Sequence, residues 1–130
     1  MDREVIEAKL ESLRRCLARI RQKTPPAAHL LAHDLDLQDI ITLNLTRAVQ
    51  LCVDIGAHGV ADLEVPPPAT MGQIFALLAE KGLISAELAA RMKASVGFRN
   101  IVIHNYQQID WDIVHVIARD HLEAVLKKST

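Results

Sequence analysis

Two ionisable side chains, Arg99 and His104, and the single tyrosine of the chain, Tyr106, interrupt the otherwise apolar run Val96-Gly97-Phe98-Arg99-Asn100-Ile101-Val102-Ile103-His104-Asn105-Tyr106. A histidine, with an ordinary pKa near 6.5, accepts and returns a proton close to neutral pH. An arginine stays charged at any working pH, and its planar fork matches a phosphate or a carboxylate through two parallel hydrogen bonds. At about 100° per residue, Arg99 lies within about 20° of Leu88 and between Val102 and Ile103, which sets it along the core-facing stripe of a helix. A guanidinium there is costly unless it meets a carboxylate, a phosphate, or a wet crevice at a subunit seam. His104 lies about 140° further round, so one straight helix does not align the two groups. Asn100, four residues before His104, shares its face and is a candidate polar helper. Spacing alone leaves both a functional pair and a purely structural Arg and His open.

Other polar positions offer less. Asp54 and His58 are four apart near the end of a helical stretch; the imidazole suits the negative end of the helix dipole, while the Asp54 carboxylate is a candidate to orient Arg99 or His104 across the bundle. His29 and His33, followed by Asp34 and Asp36, could nominally present a metal pair, but two histidines with no third ligand at matching spacing do not make a metal site. A polar stretch following Pro26 explains them, and neither a metal nor a cofactor is expected. His115, His121 and Trp111 read as surface or packing residues. Cys16 and Cys52 lie far apart within apolar stretches and read as small buried hydrophobes, not as a disulfide or zinc framework.

The elements that must position these groups are helices. The chain has 130 residues, half of them hydrophobic but only 3% aromatic, so its core is built from Leu, Ile, Val and Ala, and the length suits one domain spanning residues 1–130. Ile6, Leu10, Leu13, Leu17 and Ile20 predict a helix from about Asp2 to Lys23, ended by Pro25 and Pro26. Ile40, Ile41, Leu45, Ala48, Val49, Cys52 and Ile55 predict a second from about Leu37 to Ala57; the segment between the two is ambiguous. Pro66-Pro67-Pro68 favours an extended loop. Thr70 and Gln73 form a capping box opening a short helix that stops at Gly82. Ser85 caps the helix that carries Arg99 and His104. That helix is apolar nearly all round, and so needs two neighbours. Asp110 opens a last helix running to about Lys127, with Val114, Ile117, Ala118, Leu122 and Val125 on its inner face. The expected architecture is all-α, an up-and-down bundle of four main helices with a short extra one.

Charge excludes bulk attraction to nucleic acid, because the formal net charge is −1. It is uneven, however. Residues 1–23 hold seven basic and four acidic groups, whereas residues 24–70 hold one basic and six acidic. The basic first helix reads as a solvated face with pairs such as Glu11 with Arg14 and Arg15, or as a contact for RNA or a partner. The opening residues, Met1 to Val5, lack the apolar segment of a secretion signal, and nowhere do about 18 apolar residues run without a charge. A soluble, reduced, cytoplasmic protein is expected, with no membrane contact.

The spelling Arg99-Asn100-Ile101-Val102-Ile103-His104-Asn105-Tyr106 resembles the R-x-x-x-x-H-x-Y signature of HepT-like toxins, a branch of the all-helical HEPN superfamily. Asn44 through His58, with Arg47-Ala48-Val49 and Asp54-Ile55-Gly56-Ala57-His58, is similar to the second helix of that family. Met92 through Asp110 is similar to its fourth helix and following loop. The resemblance implies a metal-independent endoribonuclease, the toxin of a type VII toxin–antitoxin pair, in which the 2′-hydroxyl of the RNA attacks the adjacent phosphorus. Arg99 and His104 would be the catalytic pair, with Asn100 and Asp54 in support. Tyr106 would take AMP from a cognate MntA-like minimal nucleotidyltransferase antitoxin. The family also implies a homodimer that brings both Arg/His pairs to one cleft. A catalytically silent helical module that docks a nucleotidyltransferase or a nucleotide is the alternative, and a purely structural bundle would leave Arg99 unexplained.

Overall fold

The computed structural model describes residues 3–121, and every element in it is a helix. Helix α1 (Arg3–Lys23) turns its buried Leu13, Cys16, Leu17 and Ile20 inward, as their spacing predicts, and Thr24 closes its end by bonding the Ile20 carbonyl. The ambiguous segment contains a five-residue helix, α2 (Ala28–Ala32). So short a helix is not stable by propensity and needs tertiary support. Buried Gln38 provides it, donating from Nε2 to the carbonyls of Leu31 and Ala32 at 3.0 and 3.1 Å.

Helix α3 (Leu35–Ala61) starts at Asp34, whose side chain accepts from the Leu37 amide, and runs four residues beyond the expected Ala57. It passes through Gly56 because that glycine is buried against the neighbouring helix. A Cβ at Gly56 would stand 2.8 Å from Ile74 Cγ2, a methyl on a stiff β-branched side chain, whereas one at Gly59 would meet only Leu78 at 3.5 Å. Gly56→Val is therefore expected to lower unfolding free energy by about 1–3 kcal/mol through overpacking, with Gly59→Ala neutral or stabilising, as read from urea denaturation midpoints. By length and composition α3 could cross a membrane, but here it is the central helix, packed against α1, α2 and the two helices that follow.

Helix α4 (Met71–Glu80) begins with the expected capping box: Thr70 accepts from the Gln73 amide, and Gln73 reaches back to the Ala69 amide at 2.8 Å. Gly82, at φ +76°, makes the left-handed turn, and Ser85 caps α5 (Ala86–His104) through the Leu88 amide. A single turn of 3₁₀ helix, Tyr106–Gln108, leads to α6 (Trp111–Val116), capped by Asp110 and continuing as a π-helical turn, Ile117–His121. The expected continuation to Lys127, with Leu122 and Val125, and the Asp2 start of α1 lie outside the described residues.

Two stacked apolar clusters hold the bundle together. One gathers Leu17, Ile20, Leu31, Ile41, Phe98 and Val114; the other gathers Val53, Val60, Phe75, Leu78, Met92 and Val96. His115 is buried at the edge of the first. Its Nε2 lies 2.7 Å from the Pro25 carbonyl, which can only accept, so Nε2 carries the proton and ties α6 to the loop after α1. Both thiols behave as packing groups: burial raises the Cys16 pKa and pushes that of Cys52 up to about 12.

Candidate functional site

Arg99 does not sit in the core. The buried stripe of α5 is Ala89, Met92, Val96 and Phe98, and Arg99 lies half-buried at its margin. The reason is the length of the α4–α5 hairpin. Counting outward from the turn at Gly82, α4 runs out at Met71, and there the Arg99 guanidinium finds its neighbours, Met71 Sδ at 3.9 Å and Asn100 Oδ1 at 3.3 Å. Both are neutral. Among the described residues no carboxylate pairs with Arg99.

Beyond Arg99, α5 overhangs its hairpin partner. Ile101 and Ile103 are 47% and 51% exposed, and His104 stands exposed in the last turn, where the Asn105 amide closes the helix on the Ile101 carbonyl. The helix stays regular to His104, and no hydrogen bond joins His104 to Arg99 within one chain. Asn100 Oδ1 accepts from the neighbouring Arg99 guanidinium. Asp54 does not play the expected part: its carboxylate takes Lys9 Nζ at 3.3 Å and Gln50 Nε2 at 2.9 Å, so it ties α3 to α1 and supports neither Arg99 nor His104. His33 stays exposed and bonds locally, Nδ1 lying 2.8 Å from the His29 carbonyl.

Tyr106 opens the 3₁₀ turn after α5. It is 41% exposed, its ring meets Trp111 edge-on at 6.1 Å, and its hydroxyl donates to Asp39 Oδ1 at 3.3 Å. Partial burial of the ring raises the phenol pKa; the Thr42 hydroxyl pulls it back, and the Asp39 carboxylate raises it further. The phenol is therefore neutral at physiological pH and needs a base in order to act as a nucleophile. Asp39 and Thr42 escape the sequence reading, because Asp39 lies 67 residues before the tyrosine and no spacing rule links them.

The overhang borders a groove between α5 and α6 of about 600 Å³, lined by Phe98, Ile101, Ile113 and Val116 and floored at Gly97, where an added Cβ would meet nothing within 4 Å. Exposed isoleucines around so open a glycine form a face that another helix can approach closely.

The end of α5 thus presents Arg99, Asn100 and His104, with Tyr106 two residues on. The family model described as Ribonuclease HepT-like matches residues 10–129, and the chain belongs to that family. It is 35% identical over 120 residues to the mRNA nuclease HepT of Shewanella oneidensis, covering 92% of this chain and 90% of that protein. Among solved structures, a tri-AMPylated Shewanella oneidensis HEPN toxin in complex with MNT antitoxin superposes with a TM-score of 0.89 at 33% identity, covering 99% of this chain and 96% of that one. A toxin–antitoxin crystal structure with AMP-PNP also gives 0.89, at 32% identity, covering 97% of this chain and 95% of the other.

Proposed function

We propose that this chain is the toxin of a toxin–antitoxin pair, an endoribonuclease in which Arg99 binds the scissile phosphate and His104 transfers protons. The observation that carries the reading is the half-buried Arg99, fixed by Met71 and Asn100 yet facing no carboxylate among the described residues. In this chemistry the RNA 2′-oxygen attacks the adjacent phosphorus, its proton passing to a base. The bond from phosphorus to the 5′-oxygen breaks, and that oxygen takes a proton from an acid, leaving a 2′,3′-cyclic phosphate and a free 5′-hydroxyl. The RNA supplies its own nucleophile, so the protein needs to supply only proton transfer and charge stabilisation.

His104 alone covers half of that proton traffic in each chain. A homodimer formed through the α5–α6 groove supplies the other half, because the exposed Ile101, Ile113 and Val116 give that face the apolar surface a partner would cover. Tyr106 is the site at which a nucleotidyltransferase antitoxin attaches AMP. It is exposed, it lies two residues from His104, and each added AMP brings a phosphate charge to the place where the RNA phosphate must bind.

The test is cleavage of total RNA by the purified protein in excess EDTA. Cleavage should persist, leave cyclic-phosphate ends, and stop when the nucleotide 5′ to the cut carries a 2′-deoxy sugar. Folded protein that binds its nucleotidyltransferase but cuts nothing would instead establish a silent docking module.

A further inference from the structure

The basic character of α1 has a structural counterpart outside the site described above. Along the side of the α1–α3 pair facing away from α5 runs a groove of about 630 Å³ whose walls carry Ser12, Arg15 and Arg19 from α1 and Asn44, Arg47 and Gln50 from α3. Cys16 and Leu51 are its apolar components. Arg47 is the one Lys or Arg between residues 24 and 70, a segment that holds six acidic groups, yet it projects into this groove beside the arginines of α1. Arg15 shares Glu11 with Arg14 at 3.6 Å, whereas Arg19 and Arg47 have no carboxylate partner among the described residues.

We propose that this groove is an RNA-backbone exosite, in which Arg15, Arg19 and Arg47 hold phosphates remote from the cleaved bond. The proposal rests on the ribonuclease reading and extends it to substrate length. Three features favour nucleic acid over an acidic protein. All three cations are arginine, the side chain whose fork fits phosphate bidentately. Arg15 and Arg19 are one helical turn apart, about 6 Å along α1, and form a row with Arg47 facing them. Six of the eight lining side chains can hydrogen-bond, and only Cys16 and Leu51 are apolar, where a protein-docking surface would have an apolar centre. The core residues Leu13, Leu17, Leu45 and Ala48 lie between this groove and Phe98 of α5, so only an RNA long enough to pass round the bundle engages both the groove and Arg99.

The experiment is fluorescence anisotropy with a 2′-O-methyl RNA of about 20 nucleotides, titrated at several salt concentrations, with cleavage of long RNA and of a dinucleotide measured in parallel. Loss of two phosphate contacts in Arg19→Gln/Arg47→Gln should reduce the slope of log affinity against log salt by about 1.4. KM for long RNA should rise roughly tenfold, while cleavage of the dinucleotide is unchanged. Arg19→Lys/Arg47→Lys keeps the charges and should keep the slope. If the double Gln variant melts early, each single replacement should give about half the change. An unchanged slope in folded protein overturns the exosite, as does weakened capture of the nucleotidyltransferase with RNA affinity intact, which would make the groove a protein-docking surface. Wild type that cuts nothing yet binds RNA with an arginine-dependent slope would retain the exosite and remove the nuclease.

Discussion

His104→Ala should lower RNA cleavage by about 10²–10⁴-fold, the range for removing one general acid or base, and abolish growth arrest when the chain is expressed alone. The side chain is exposed and makes no hydrogen bond that the fold depends on, so the unfolding midpoint should shift by no more than about 0.5 kcal/mol. Arg99→Ala should cost about 10²–10³-fold through lost charge stabilisation. Arg99→Lys should recover only part of this, since an ammonium cannot reproduce the fork held between Met71 and Asn100. The double variant should be little worse than the poorer single one, because the two groups act on the same transition state. Rates of single-turnover cleavage on one defined RNA check all four. A His104→Ala protein that cuts at the wild-type rate would remove the histidine from the chemistry.

Tyr106→Phe should separate cleavage from its control. The phenylalanine ring keeps the edge-on contact with Trp111 and loses the interaction with Thr42 and the 3.3 Å bond to Asp39, the latter worth about 1 kcal/mol or less at an exposed position. RNA cleavage should stay within about twofold of wild type. Incubation with the nucleotidyltransferase and ATP should silence the wild type and leave the variant active, a difference as large as the whole catalytic effect of the toxin. Mass spectrometry should find added AMP on wild type alone. Modification and silencing of Tyr106→Phe to the same degree would place the control at another residue.

What was legible in the sequence was local. Thr70, Ser85 and Asp110 cap the helices they were expected to cap, Gly82 makes its left-handed turn, and the four-and-three spacing of α1 gives its buried face, because each of these depends on residues within one turn. The misses depend on distance. Helix α2 exists because Gln38 bonds its last carbonyls, six and seven residues away. Arg99 moved from the core stripe to its edge because the α4–α5 hairpin ends at Met71, a length that helical angle does not encode. Asp54 takes Lys9 from 45 residues away, a pairing that no spacing rule reveals. The spacing of Arg99, His104 and Tyr106 is visible in the sequence, whereas the partners of each side chain depend on the packing of distant helices.

The hydrogen that the Tyr106 phenol lends to Asp39 is the same hydrogen that a phosphodiester at that oxygen would replace. Once AMP is attached, an attraction between the turn after α5 and the start of α3 becomes a repulsion between two anions. The latch that holds this turn would then work in reverse, pushing where it had pulled. An antitoxin that writes on Tyr106 would thus leave a covalent mark whose charge opposes Asp39 after the writer has gone.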